Sequence, residues 1–212
     1  MVSEENYEVA EPLDIDAALD SFWAHAINAG RLYPIESVGG QVDETSLRPG
    51  SFSLGDTPQL ADELAELIVS GAKRATSSYE PSYMAAGESL PSIGELWIVC
   101  DGRGYPRALI RNVDVRRIPF CDVGADIAEA EGEGDLPKWQ ADHEQIFREE
   151  AQSLGIEFDP QENVIVEFFR LLYASDAHIP SSSDAGETAT ATPTPTHTPL
   201  PSKLPAGCEE AL

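Results

Sequence analysis

The stretch DTPQLADELAELIVSGAKRAT, residues 56–76, decides how the chain is read. Asp56-Thr57 offers a capping oxygen and Pro58 stands in the first turn, where its missing N–H costs nothing. Leu60, Leu64, Leu67 and Ile68 recur at helical spacing, and Gly71 stands where a left-handed residue ends a helix. The spacing predicts a helix from about Pro58 to Ser70. The chain then leaves it through Gly71-Ala72-Lys73-Arg74-Ala75-Thr76. Lys73 and Thr76 share a face if that turn stays helical, and lie on opposite faces if it is already extended.

Outward from this segment, Leu19, Phe22, Trp23 and Ala26 predict an earlier amphipathic helix from Leu13 to Ala29, stopped by Gly30. Residues 34–56 hold four Gly and two Pro and read as loop. Downstream, Glu95–Cys100 and Pro106–Arg117 are rich in β-formers and flank Asp101-Gly102-Arg103-Gly104, a hairpin pattern. A second helix is expected from about Pro137 to Leu154, with Trp139, Ile146, Phe147, Ala151 and Leu154 inward. The run Asn163–Tyr173 reads as a strand buried on both faces. Helices mixed irregularly with antiparallel strands make the class α+β.

Composition bounds the function. The chain has 212 residues, 42% of them apolar, enough for a packed core. Thirteen Lys plus Arg against 38 Asp plus Glu give a net charge of −25, which argues against non-specific binding to long DNA or RNA. No apolar run approaches a bilayer's thickness, and the N-terminus is acidic where a signal peptide is basic. The expectation is a cytoplasmic protein that engages neither membrane nor DNA. Cys100, Cys121 and Cys208 form no CxxC pair, and His25, His143, His178 and His197 have no ligand spacing, so no metal is expected. No phosphate-cradling glycine motif or nucleophile elbow occurs, and no cofactor is expected. Between Pro180 and Pro205 stand six Pro, six Thr and four Ser without an aromatic residue. The expected organisation is an arm at 1–12, a domain at 13–173 and a disordered tail at 174–212.

Three clusters carry chemistry. Lys73 and Thr76 are a minimal base-and-nucleophile pair, since a hydroxyl attacks only when a base takes its proton. The plainer reading has Lys73 complementing a helix C-terminus and Thr76 opening a strand. Ala128-Glu129-Ala130-Glu131-Gly132-Glu133-Gly134-Asp135 lacks a calcium-loop pattern, and its glycines suggest a bend that aims one carboxylate inward. Arg103, Arg107, Arg111, Arg116 and Arg117 gather in one hairpin, either to meet a phosphate backbone or to pair with carboxylates. His143 falls on the apolar face of its helix and reads as a core histidine.

Leu54-Gly55-Asp56-Thr57-Pro58-Gln59-Leu60-Ala61-Asp62-Glu63-Leu64, Gly71-Ala72-Lys73-Arg74-Ala75-Thr76, Gly87-Glu88-Ser89-Leu90-Pro91 with Gly94, Ile110-Arg111 and Ala130–Asp135 together resemble bacterial ASCH domains, over roughly Phe22 to Tyr173. The resemblance implies a small PUA-like β-barrel with flanking helices, associated with RNA or modified nucleosides. One branch of the family hydrolyses the acetyl amide of N-acetylcytidine, and its catalytic residues match Lys73, Thr76 and Glu131, with Glu129 and Glu133 close to the last. Other members are linked to RNA cleavage. Leu54 departs from the aromatic many relatives carry, and the N-terminal helix and tail are additions.

The expected activity is therefore an amidohydrolase acting on a modified pyrimidine nucleoside. Thr76 attacks, Lys73 takes its proton, and Glu131 orients the lysine or protonates the leaving amine. Tyr83 would stack on the pyrimidine and Arg111 would hold a ribose or carbonyl oxygen. The alternative partner is single-stranded RNA, bound by a non-enzymatic module or, third, cleaved by a ribonuclease. The catalytic reading requires Lys73, Thr76 and Glu131 to meet; Thr76 turned away from Lys73 would favour the module.

Overall fold

The computed structural model describes residues 14–30 and 48–175. The expectations for the arm and for the tail beyond Ser175 lie outside the described residues. Five helices and five strands follow in the order α1 (Ile15–Gly30), β1 (Ser51–Ser53), α2 (Pro58–Val69), β2 (Ala75–Tyr79), α3 (Glu80–Ala86), β3 (Leu96–Cys100), β4 (Pro106–Pro119), α4 (Ala125–Glu131), α5 (Leu136–Ser153) and β5 (Asn163–Ala174). No helix among the described residues is long and apolar enough to cross a membrane.

The expected cap on α2 forms: Thr57 Oγ1 accepts from the Leu60 N–H at 3.2 Å, with Pro58 in the first turn. Gly71 adopts φ +80°, the left-handed conformation that its place beyond the helix end requires. The predicted strands form as β3, β4 and β5, and the second long helix as α5. Ala174, expected to begin the tail, still belongs to β5. Ile146 is 42% exposed, at the margin of the buried stripe, and His143 and Glu150 are buried in its stead. β1, α3 and α4 were not foreseen. β1 is three residues long and exists through its parallel pairing with β3. α3 and α4 span seven residues each, too short for a periodicity signal.

The strands form one sheet in the order β1-β3-β4-β5-β2, with every pairing antiparallel except β1–β3. β1 and β2 lie at opposite ends and do not pair. The expected small β-barrel is, among the described residues, a curled five-strand half-barrel sheet. Two short strands, of three and five residues, give too few ladder bonds to close it.

Helices cover both faces. Leu19, Phe22, Trp23, Ala26 and Ile27 of α1 pack on Ile98 and Leu109, which are directly opposed in the β3–β4 ladder. Leu64, Ala65 and Ile68 of α2 pack on Val99 and Ala108, the next opposed pair, hence on the other face. A third cluster joins α4 and α5 to Ala75, Tyr79, Val164 and Val166 at the β2–β5 end. These helices leave the turn between α2 and β2 against the C-terminus of α4, where the charged side chains gather.

Candidate functional site

Lys73 and Glu131 are 58 residues apart, and backbone bonds bring them together. The Lys73 N–H donates to Leu67 O at 2.9 Å, closing α2. The next residue is bound on two sides: the Arg74 N–H donates to Ala130 O at 2.6 Å, and Arg74 O accepts from the Phe169 N–H at 2.9 Å. α4 thereby ends against the start of β2. Gly132 follows with φ +71°, and a Cβ there would stand 2.6 Å from Ala72 O, so only glycine allows this approach.

Lys73 Nζ donates to Glu131 Oε2 at 3.1 Å, with both side chains 1% exposed. It also donates to Glu133 Oε1, whose side chain is partly exposed. The second oxygen of Glu131 accepts from Ser77 Oγ at 2.6 Å. His143 Nδ1 lies 3.1 Å from Trp139 O; a carbonyl only accepts, so Nδ1 carries a proton. His143 Nε2 then faces Glu131 Oε2 at 3.6 Å, with the imidazole stacked on the Trp139 indole at 4.0 Å between centroids. Burial alone would raise the Glu131 pKa. The Lys73 ammonium, then His143 and Ser77, overcome it and hold this carboxyl down at about 2. Glu131 is an anion at neutral pH, with Lys73 and Ser77 donating to its two oxygens.

The same polar core continues along α5. Ser82 Oγ on α3 donates to Glu150 Oε2 at 2.6 Å, while Glu150 Oε1 is buried without a partner. Burial pushes the Glu150 carboxyl up, opposed by Ser82 and His143.

The other expected site residues fall elsewhere. β2 is extended from Ala75, with alternating burial that puts Ala75, Ser77 and Tyr79 on the α4–α5 face. Thr76 therefore lies on the opposite face from the Ser77 hydroxyl that meets Glu131. It is half-buried and is the register partner of Glu167, which accepts from Asn112 Nδ2 at 2.5 Å. Tyr83, on α3, is half-buried beside Ser78 and Glu167; burial foremost, with Glu167 adding and Ser78 opposing, pushes its phenol up to about 12. Arg111 stands opposite Leu96 in the β3–β4 ladder, on the face that α1 covers. The structure joins Lys73 to Glu131 and brings neither Thr76, Tyr83 nor Arg111 into that bonded group.

Of the arginine hairpin, Arg107 pairs with Glu66, Arg116 with Asp114 and Asp126, and Arg117 with Glu80. Sequence reasoning missed Ser77 as a partner of the carboxylate. Its signal was period-two spacing from Ala75 once β2 is extended. It also read His143 only as a core residue. His143 is buried as expected, yet its second nitrogen is turned to the ion pair.

The model of the ASCH domain family matches residues 50–173. Among solved structures, the chain is similar to a protein of Enterococcus faecalis V583, at 28% identity over 73% of this chain and 88% of that one, with a TM-score of 0.63. It is likewise similar to an ASCH domain from Lactobacillus crispatus JV V101, at 26% identity over 77% of this chain and 98% of that one, with a TM-score of 0.62. No curated protein matches it. The family match spans more than half of the chain and contains both Lys73 and Glu131, and the protein belongs to the ASCH domain family.

Proposed function

We propose that this ASCH domain is an amidohydrolase that removes an acyl group from a modified pyrimidine nucleoside of the N-acetylcytidine class, with Lys73 and Glu131 at its reaction centre. The observation that carries the reading is the Lys73–Glu131 ion pair, 1% exposed on both sides. Burying two charges costs several kcal/mol of desolvation, of order the attraction regained, so such a pair is weakly explained by stability alone. It sits at the turn where the family resemblance puts a catalytic lysine.

In the arrangement described, Lys73 donates to two carboxylates and offers no lone pair with which to take a proton. The partly exposed Glu133 is the contact that opens when an acyl carbonyl arrives. The freed N–H then stabilises the oxyanion, the role that preorganised donors serve in acyl transfer. The nucleophilic hydroxyl is Thr76, which the resemblance assigns, once ligand binding turns it toward the lysine. Its proton goes to the displaced Glu133 carboxylate, which passes it to the leaving amine as the C–N bond breaks. Water then cleaves the acyl–Thr76 ester. Ser77 holds Glu131 and is its positioning residue.

Purified full-length protein incubated with N-acetylcytidine should release cytidine. Lys73→Ala and Thr76→Ala should abolish release in folded protein, while Ser77→Ala retains partial turnover. Turnover that survives in Thr76→Ala and vanishes in Ser77→Ala would transfer the nucleophile's role to Ser77. No release at micromolar enzyme would reject this substrate class.

The position of Thr76 on the face opposite Ser77 favours a second reading, a binding module for single-stranded RNA without catalysis. Titrating fluorescent RNA at two salt concentrations tests it, since phosphate contacts give a negative salt slope. Absence of binding at low salt would remove it.

A further inference from the structure

The β4–β5 ladder sets Arg111 directly opposite Arg170. Directly opposed residues share a sheet face, where like charges are unfavourable by up to about 1 kcal/mol. Among the described residues neither guanidinium has an ion pair or hydrogen bond, although the chain holds 38 acidic residues against 13 basic ones. The contrast lies within one strand, because Arg107, Arg116 and Arg117 of β4 each have a carboxylate. Arg111 Nε is moreover buried with no partner.

Their place adds direction. Leu96, across from Arg111, packs with the α1 cluster, and Phe168, two residues before Arg170, packs with the α4–α5 cluster. The arginines thus occupy the sheet face between two helical layers. The β2–β5 ladder pairs Ala75 with Phe168 and continues through Phe169 N–H to Arg74 O, which brings Lys73 level with Arg170. Arg170 and Arg111 are thus adjacent on β5 and β4, about 5 Å apart at the usual strand spacing, and Lys73, two residues before β2, lies beyond Arg170. Glu131 and Glu133 neutralise the lysine end, while the arginine end keeps its charge.

We propose that Arg111 and Arg170 form a phosphate-binding site, taking the phosphate of a nucleotide or of an RNA strand whose base end reaches toward Lys73. Two guanidinium forks match the oxygens of a phosphate with bidentate bonds. The inference rests on the reading above only for what lies beyond the phosphate, and phosphate binding is measured without turnover.

Inorganic phosphate is titrated into the full chain at constant ionic strength, with binding followed by calorimetry and by the melting temperature. Phosphate should bind and raise the melting temperature where chloride does not. Arg170→Gln, at an exposed position, and Arg111→Gln should each weaken phosphate binding by about tenfold or more. Arg103→Gln, at the hairpin turn, should leave it unchanged. No binding, or equal binding in all three variants, would overturn the site. Cytidine 5′-monophosphate and a short RNA then separate the sources: the one whose affinity over cytidine falls in Arg170→Gln supplies the phosphate. If neither shows that loss, the proposal fails.

Discussion

Glu131 remains ionised inside the protein because the Lys73 ammonium foremost, with His143 and Ser77, offsets the cost of its burial. Its folded pKa of about 2 lies below the ordinary 4.5, so its contribution to stability is complete above about pH 4.5 and is lost as pH falls toward 2. Glu131→Gln should cost about 3 kcal/mol at neutral pH, since it leaves the buried Lys73 ammonium with the partly exposed Glu133 as its one carboxylate. Urea unfolding should show the gap between variant and native protein narrowing below pH 4.5; a gap independent of pH would reject the assignment. Glu150 carries the opposite sign. Its pKa is raised, so the buried charge weighs against folding once pH exceeds the ordinary 4.5. Glu150→Gln keeps an acceptor for Ser82 and should stabilise the protein by about 1 kcal/mol at neutral pH. That gain should vanish in acid, and destabilisation at neutral pH would show the charge to be needed.

At the scale of elements, the site is a junction between the turn after α2 and the end of α4. Gly132 makes the junction, with a left-handed backbone and Ala72 O where a Cβ would go. Gly155 has nearly the same backbone, φ +73°, but open space around it. Gly155→Ala should therefore cost about 1 kcal/mol, for conformation alone. Gly132→Ala should cost more, about 2 kcal/mol or above, and should also lower the turnover or ligand affinity that depends on Lys73. Denaturant midpoints compare the two, and equal losses would show that the close approach has no energetic weight. The same junction explains why β2 was ambiguous in sequence. Lys73 closes α2 through its own N–H and Arg74 O already accepts from β5, so the five residues between Val69 and Ala75 follow neither period.

For the whole molecule, the net charge of −25 is the dominant long-range quantity. Self-repulsion of that size weakens the compact state, and salt screens it. Raising sodium chloride from low concentration to about 0.5 M, where the Debye length falls to a few ångströms, should raise the melting temperature. A decrease would mean that the surface ion pairs of Arg107, Arg116 and Arg117 outweigh the repulsion. The same charge bears on ligands. Three of the hairpin's arginines are bound to the protein's own carboxylates, so nucleic acid would have to displace them. Arg111 and Arg170, side by side and without a carboxylate partner among the described residues, would receive an anion without that exchange.

The elements legible in the residues alone are those whose signals are local. Thr57-Pro58 and Gly71 set the ends of α2, alternation and β-formers set β3 and β4, and near-continuous apolarity set β5, because capping, backbone conformation and burial period act over a few residues. The sequence also carried the resemblance that singled out Lys73 and Glu131. Packing settled the rest: the sheet stays a half-barrel, Ser77 and not Thr76 joins the carboxylate, His143 turns a nitrogen to it, and Arg111 stands opposite Arg170. Each of these depends on register and on which face a strand presents, and those are fixed by pairing between segments far apart in the chain. A shift of one residue in any ladder would have exchanged the faces and left every local signal unchanged.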